Sequence, residues 1–188
     1  MTNKDILNFL FEMAQMRFLK RSGWRLIQMD NPENVAEHSL RAAQLGYILA
    51  KMEQFEDPHK ISSLMIFHEL EECRYGDIDK LSNRYLAQDK QAAVKEQTQN
   101  LGLLGEDLFS LWNEVEQSDT KAGKIAQDAD KLELSITARE FMEKGYKEAV
   151  EWFEKTGEVL TTGSAKALHS ELRNADPTEW WKGLKKFD

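Results

Sequence analysis

Three prolines, Pro32, Pro58 and Pro177, are all that a chain of 188 residues contains. Proline ends helices because it lacks the amide donor and clashes with the preceding turn. Long proline-free stretches rich in Glu, Lys, Leu and Ala therefore favour helix. Runs rich in β-branched residues, the usual mark of strands, are missing. The expected fold is all-α. The length fits one domain, residues 1–188, able to bury a single substantial core.

Apolar spacing gives the order of the helices. A first helix is expected over about 4–20, with Ile6, Phe9, Leu10, Met13, Met16 and Leu19 at 3–4 spacing. Arg21-Ser22-Gly23-Trp24 breaks it, and 24–29 reads as an extended segment before the turn Asp30-Asn31-Pro32. Asn34 and Glu37 have the layout of a capping box, so His38 lies in the first turns of the next helix, whose apolar positions include Leu40, Ala43, Leu45, Tyr47, Ile48 and Leu49. A third helix is expected from near Pro58 to about Tyr75, closed by Gly76 in the left-handed region. Residues 82–100 are polar with helical propensity. Residues 101–105 read as a loop before a helix over about 106–117. A long helix follows over about 120–144, then two more over about 146–155 and 164–173, and a tail with Trp180-Trp181 that caps the core or meets a second subunit.

The totals exclude several classes. Net charge is −8, from 25 basic and 33 acidic residues. Tight binding of a nucleic-acid polymer needs a basic surface that displaces counterions, so no such partner is expected. A small phosphate ester is not excluded, since one cation or two can serve a single phosphate. Apolar runs are broken by charge too often for a membrane span, and the N-terminus lacks the apolar core of a secretion signal. One cysteine, Cys73, rules out an internal disulfide and a thiolate-rich zinc site. A cytoplasmic location fits these features.

The chemistry concentrates between His68 and Asp77, where an imidazole meets the carboxylates Glu69, Glu71, Glu72 and Asp77 directly after an apolar run. His68 and Glu72 are four apart in the expected third helix and so share a face. Imidazole plus carboxylate suits divalent ions that activate water. Two such groups are too few ligands, and His38 and Asp130, each on an amphipathic helix, are the natural additions. Other residues read more plainly. Glu37 is a helix cap, Glu71 a solvated charge, His59 and His169 surface groups, and Cys73 a packed thiol. Asp128 and Glu133 read as surface or supporting groups, and Trp24 as core or pocket wall.

The pattern Glu37-His38, His68-Glu69 and Asp128-Ala129-Asp130-Lys131-Leu132-Glu133 resembles the HD-domain phosphohydrolase superfamily. Together with Gly23-Trp24, residues 34–39 and Glu72…Gly76-Asp77-Ile78, it is closest to the 5′-deoxynucleotidase branch. The resemblance covers about 18–140 in pieces. It implies an HD-type helical bundle and metal-dependent removal of phosphate from a small nucleotide, most plausibly a deoxyribonucleoside 5′-monophosphate. It further implies a divalent metal ion (Co, Mn, Mg or Zn) held by His38, His68, Glu69 and Asp130. Glu72 and Asp77 would be the catalytic carboxylates, sharing the acid and base parts between them, Trp24 would bind substrate at the nucleoside end, and the enzyme would be a homodimer. The signature aspartate is glutamate at position 69, longer by one methylene but with the same charge and donor atoms. Gly23 stands where some members of this branch carry a phosphate-contacting arginine, leaving Arg21, Arg25 and Lys131 to take that part. The alternative is a degenerate HD domain that binds nucleotide or metal without turnover.

Overall fold

Helix α7, Lys121–Glu143, is the axle of the architecture. A computed structural model of the chain describes residues 1–184. In chain order the helices are α1 (Asn3–Met13), α2 (Val35–Met52), α3 (Pro58–Ile66), the single turn α4 (Glu72–Tyr75), α5 (Lys90–Thr98), α6 (Leu103–Gln117), then α7, α8 (Val150–Val159) and α9 (Gly163–Leu172). Short 3₁₀ turns connect several of them. Among the described residues there is no β-strand, and an isolated bridge pairs Lys20 with Asn34. The fold is all-α, as composition and spacing imply.

Caps start the helices where short polar side chains can take orphan amides. Asn34 accepts the amide of Glu37 at 2.9 Å, and Glu37 returns the bond to the Asn34 amide at 2.8 Å. Asp57, Asp89 and Thr120 cap α3, α5 and α7 in the same way. On α7, Ala122, Ile125, Ala126, Ala129 and Leu132 pack with Leu49, Ile61, Leu64 and Met65 of α2 and α3. Close approach is needed there: a Cβ on Gly46 of α2 would stand 3.0 Å from Ile61 and 3.3 Å from Met65. Farther along α7, Ala138 and Phe141 join Trp24 and Phe153 in a second cluster. A third cluster gathers Phe9, Leu70, Val94, Leu101, Leu108 and Trp112.

Several expected boundaries move. α1 ends at Met13, and 14–17 tighten into a 3₁₀ turn; Leu10 faces solvent while Phe9 and Met16 are buried. The segment expected to be extended, 24–29, lies mostly in a 3₁₀ turn, Ser22–Ile27, closed by Gln28 at φ 59°. On α2, Leu40, Tyr47 and Ile48 point outward, because α3 and α7 cover only the opposite face. Of 82–100, only Lys90–Thr98 and short 3₁₀ turns on either side are helical, and α6 begins at Leu103 rather than 106.

The third helix carries the largest correction. It stops at Ile66, and His68 and Glu69 lie in the turn between α3 and α4. Burial of Glu71 accounts for the turn. This residue, read as a solvated charge, is fully buried; it accepts the Trp112 indole N–H at 2.7 Å and pairs with Lys90 at 2.9 Å. Partners on α5 and α6 thus draw the backbone out of its helical path. His169 also proves buried, stacked on Phe153 at 4.3 Å with its Nε2 2.9 Å from the Phe153 carbonyl. Trp180 is largely exposed and Trp181 partly so; neither caps the core.

Candidate metal centre and adjoining cavity

The capping box fixes where α2 begins, and so sets His38 one turn in. There it faces α7, whose Asp130 and Glu133 share a side at i, i+3 spacing. Glu133 Oε2 lies 2.5 Å from His38 Nδ1. The carboxylate keeps the ring proton on Nδ1 and leaves the Nε2 lone pair free. His68 is oriented by a different means: its Nδ1 donates to the Met65 carbonyl at 2.7 Å, again freeing Nε2. Outer partners of this kind are what hold metal-binding imidazoles in one tautomer.

The two free Nε2 atoms stand 3.3 Å apart. Asp130 Oδ1 is 3.1 Å from His38 Nε2 and 3.8 Å from His68 Nε2. Glu69 Oε1 is 3.9 Å and 3.4 Å from the same atoms. One donor atom from each of His38, His68, Glu69 and Asp130 therefore falls within 4.8 Å of the others. Divalent ions with bonds of about 2.1 Å bring neighbouring donors to about 3–3.5 Å of one another, so this donor set fits such an ion. With its extra methylene, Glu69 still brings Oε1 to 3.4 Å from His68 Nε2. Lone pairs converging like this demand positive charge. Burial and Arg21 disfavour a charged His38, yet its bonds to Asp130 and Glu133 prevail and push it up to about 9. Burial opposes the charge on Asp130 as well, but His38 and His68 hold it well below the usual carboxylate range.

A second layer surrounds these four. Arg41 donates from Nε to Glu133 Oε1 at 2.8 Å and from Nη1 to Glu140 at 2.8 Å, bracing the carboxylate that orients His38. Thr137 Oγ1 lies 3.1 Å from both Glu133 and Glu33. Burial, then the charge of Glu133, raises the Glu33 carboxyl. Glu133 is thus a supporting group, as expected. Asp128 is a different case: buried, it accepts the amides of Thr161 at 3.0 Å and Thr162 at 2.6 Å, fastening the segment after α8 to α7.

On the open side, the half-buried Arg21 guanidinium lies 3.2 Å from Glu69 Oε1 and 3.7 Å from Asp77 Oδ1. Burial works against its charge, but Glu69 and Asp77 outweigh it and hold it protonated. Arg25, a rival for that position, instead donates to Asp79 at 2.8 and 3.1 Å. Asp77 also accepts the Ser22 amide. Glu72 is buried, and its Oε2 has no partner. Burial first, then the charges of Glu69 and Asp77, push it up to about 11. Burial likewise pushes the Cys73 thiol up to about 12, which fits a packed, unreactive cysteine.

Arg21 and Asp77 also line a cavity of about 320 Å³. Its walls come from residues 21–26, the 77–81 loop, Leu134 of α7 and residues 151–156 of α8. The volume is near the small end of the range for ligand pockets. Trp24 belongs to its wall but is almost completely buried, with its ring centroid 4.8 Å from that of Phe141. Trp152, which no sequence motif singles out, borders the same space.

Comparison with known proteins accords with this geometry. The HD domain family matches residues 13–172. A 5′-deoxynucleotidase of Dictyostelium discoideum is 31% identical over 147 residues, covering 73% of this chain and 77% of that protein. The human 5′-deoxynucleotidase of the same name is 26% identical over 148 residues, covering 77% and 72%. A solved structure of a conserved hypothetical protein from Pyrococcus furiosus superposes with a TM-score of 0.76 at 25% identity, over 90% of this chain and 99% of that one. With its family signature drawn into one cluster and its sequence matched over residues 13–172, the chain belongs to the HD domain family.

Proposed function

We propose that the protein is a metal-dependent phosphohydrolase that removes phosphate from a small nucleotide, most plausibly a deoxyribonucleoside 5′-monophosphate. The observation that carries the reading is Arg21. One guanidinium touches both Glu69, in the four-ligand cluster, and Asp77, in the wall of a cavity of nucleoside size. A phosphate ester bridging cluster and cavity would meet that cation. Relatives named 5′-deoxynucleotidases support the same substrate class.

In this reading His38, His68, Glu69 and Asp130 hold a divalent ion, which when bound neutralises charge on the phosphate and lowers the pKa of water. Arg21 binds and orients the phosphoryl oxygens. Hydrolysis adds water across the P–O5′ bond, so the 5′ oxygen must gain a proton. Glu72, whose carboxyl is pushed up by burial and by the charges of Glu69 and Asp77, is assigned to that proton. Asp77 fixes Arg21 and the Ser22 amide at the cavity entrance. The buried Trp24 contributes as backing for the wall. The products are a nucleoside and inorganic phosphate.

No helix among the described residues is long and apolar enough to cross a membrane; a cytoplasmic homodimer formed from a single domain over 1–188 completes the proposal. A domain that binds without turnover is not favoured, since the glutamate that suggested it brings Oε1 within 3.4 Å of His68 Nε2. Phosphate release from a panel of nucleoside monophosphates, with Co²⁺, Mn²⁺, Mg²⁺, Zn²⁺ or chelator added, tests the reading. Turnover with at least one metal and its loss in His68→Ala are expected. Turnover unaffected by chelator and by His68→Ala would overturn it.

A further inference from the structure

The cavity has lining that the phosphate chemistry leaves unexplained. Leu26, Leu81, Leu134 and Trp152 supply apolar surface among charged groups, Arg21 and Asp77 and, on the helix of Trp152, Glu151 and Lys155. Trp152 is half-buried. Its ring packs on Trp24 with centroids 5.3 Å apart and planes inclined by 33°. Trp24 is in turn held by the edge-to-face contact with Phe141. The indole at 152 is therefore a braced aromatic plane at the cavity, with little freedom to turn away.

Gly23 stands beside it. A Cβ at that position would lie 3.5 Å from Trp152 Nε1 and 4.0 Å from Asp79 Cβ. A methyl group fits there, but a longer side chain would fill the gap between the indole and the 77–81 loop. A braced aromatic plane with clear space beside it suits a flat heteroaromatic ring. Stacking of that kind is tolerant of base identity, because every base has a π-face.

We infer that Trp152 is the base-stacking residue of this cavity and that Gly23 keeps the room beside it. The inference rests on the phosphohydrolase reading and deepens it. Stacking acts on binding of the base and not on the P–O bond, so its loss falls on KM.

The test uses the metal-loaded full chain with two substrates. One is deoxyadenosine 5′-monophosphate; the other is 2-deoxyribose 5-phosphate, which carries the same ester without a base. Trp152→Ala is expected to lower kcat/KM for the nucleotide roughly 5- to 100-fold through KM and to change the base-free ester less than about twofold, within ordinary variation for a group that does not touch it. Trp152→Phe is expected to recover most of the loss. Equal losses on both substrates would assign Trp152 a structural role and overturn the inference, as would an unchanged nucleotide KM. Because Trp152 also packs on Trp24, Gly23→Leu supplies a second arm that leaves the aromatic contact in place. It is expected to raise the nucleotide KM alone, and a wild-type value refutes the inference. If the wild type hydrolyses neither ester, the phosphohydrolase reading fails separately. Binding of deoxyadenosine, measured by isothermal titration calorimetry, then decides the role of Trp152: affinity retained in Trp152→Ala overturns it, and affinity lost there but kept in Trp152→Phe supports it.

Discussion

Replacing Glu133 with glutamine probes the metal centre without touching any of its four proposed ligands. Glutamate accepts on both sides: Oε2 faces His38 Nδ1 at 2.5 Å, and Oε1 faces Arg41 Nε at 2.8 Å and Thr137 Oγ1 at 3.1 Å. Glutamine accepts with one end and donates with the other. If its oxygen faces His38, its amide N–H₂ opposes the Arg41 donor. If its oxygen faces Arg41, the amide donates to Nδ1 and drives the ring proton to Nε2, where a metal would bind. Either arrangement sacrifices a charge-assisted hydrogen bond, a loss of about 1.5–3 kcal/mol, or roughly 10- to 100-fold in metal affinity, the range found when such outer partners of histidine ligands are removed. The assay is competition for Mn²⁺ or Co²⁺ against a chelator of known affinity, with the metal-induced rise in Tm as a second readout. Glu133→Gln is expected to bind at least tenfold more weakly and to show a smaller Tm rise, while Glu140→Gln, altering the other carboxylate on Arg41, changes affinity far less. A folded Glu133→Gln protein with wild-type affinity for both ions would refute the argument that this carboxylate sets the His38 tautomer.

Three further outcomes follow from the same geometry. Glu69→Asp shortens a side chain whose Oε1 reaches both Arg21 at 3.2 Å and His68 Nε2 at 3.4 Å; one contact is lost, and activity at saturating metal is expected to fall roughly tenfold, about the effect of one hydrogen bond to a charged group, so higher activity in the variant would show that glutamate weakens the site. Asp79 accepts the amide and hydroxyl of Ser82 and the Arg25 guanidinium; although its burial raises the pKa, these bonds bring it down to about 2. A depressed carboxylate stabilises the fold above its unfolded value and loses that contribution as pH falls from about 4 to 2, so the roughly 1–2 kcal/mol by which Asp79→Asn weakens the fold at pH 6 in urea unfolding should shrink by pH 3, and a constant difference would contradict the assignment. A Cβ at Gly105 would lie 2.2 Å from the Thr98 carbonyl oxygen, forcing α5 and α6 apart, so Gly105→Ala is expected to cost roughly 1–3 kcal/mol; an unchanged Tm would show that the helices separate freely.

The parts of the fold legible in the sequence are those where local chemistry decides. Asn34 with Glu37, Thr120 and Pro58 mark helix starts because capping needs only neighbours in the chain. His38, His68, Glu69 and Asp130 meet as their types and order imply. The break after Ile66 was hidden, because residues 67–75 contain neither proline nor glycine and have good helical propensity. What breaks the helix is the burial of Glu71 against Trp112 and Lys90, partners that no local window contains. Trp152 was invisible for a similar reason: its place at the cavity depends on α8 packing on α7, while the surrounding sequence carries no motif. Arg21 stood among three candidate cations, and only the packing of the 3₁₀ turn against Asp77 distinguishes it from Arg25.

The two imidazoles of the cluster are secured by unlike anchors, and that sets how the site can change over evolutionary time. His38 leans on a side-chain carboxylate, whereas His68 leans on the main-chain carbonyl of Met65. Every amino acid carries that carbonyl, so substitution at 65 leaves the anchor in place, and drift there cannot easily detune the second histidine. The first is open to adjustment: changing Glu133, or the Arg41 that steadies it, alters how strongly one nitrogen gives up its electrons. A lineage shifting its metal preference thus has one adjustable donor and one fixed one, and sequence changes that accompany such a shift are expected at 41, 133 and 137 before any of the four ligands is exchanged.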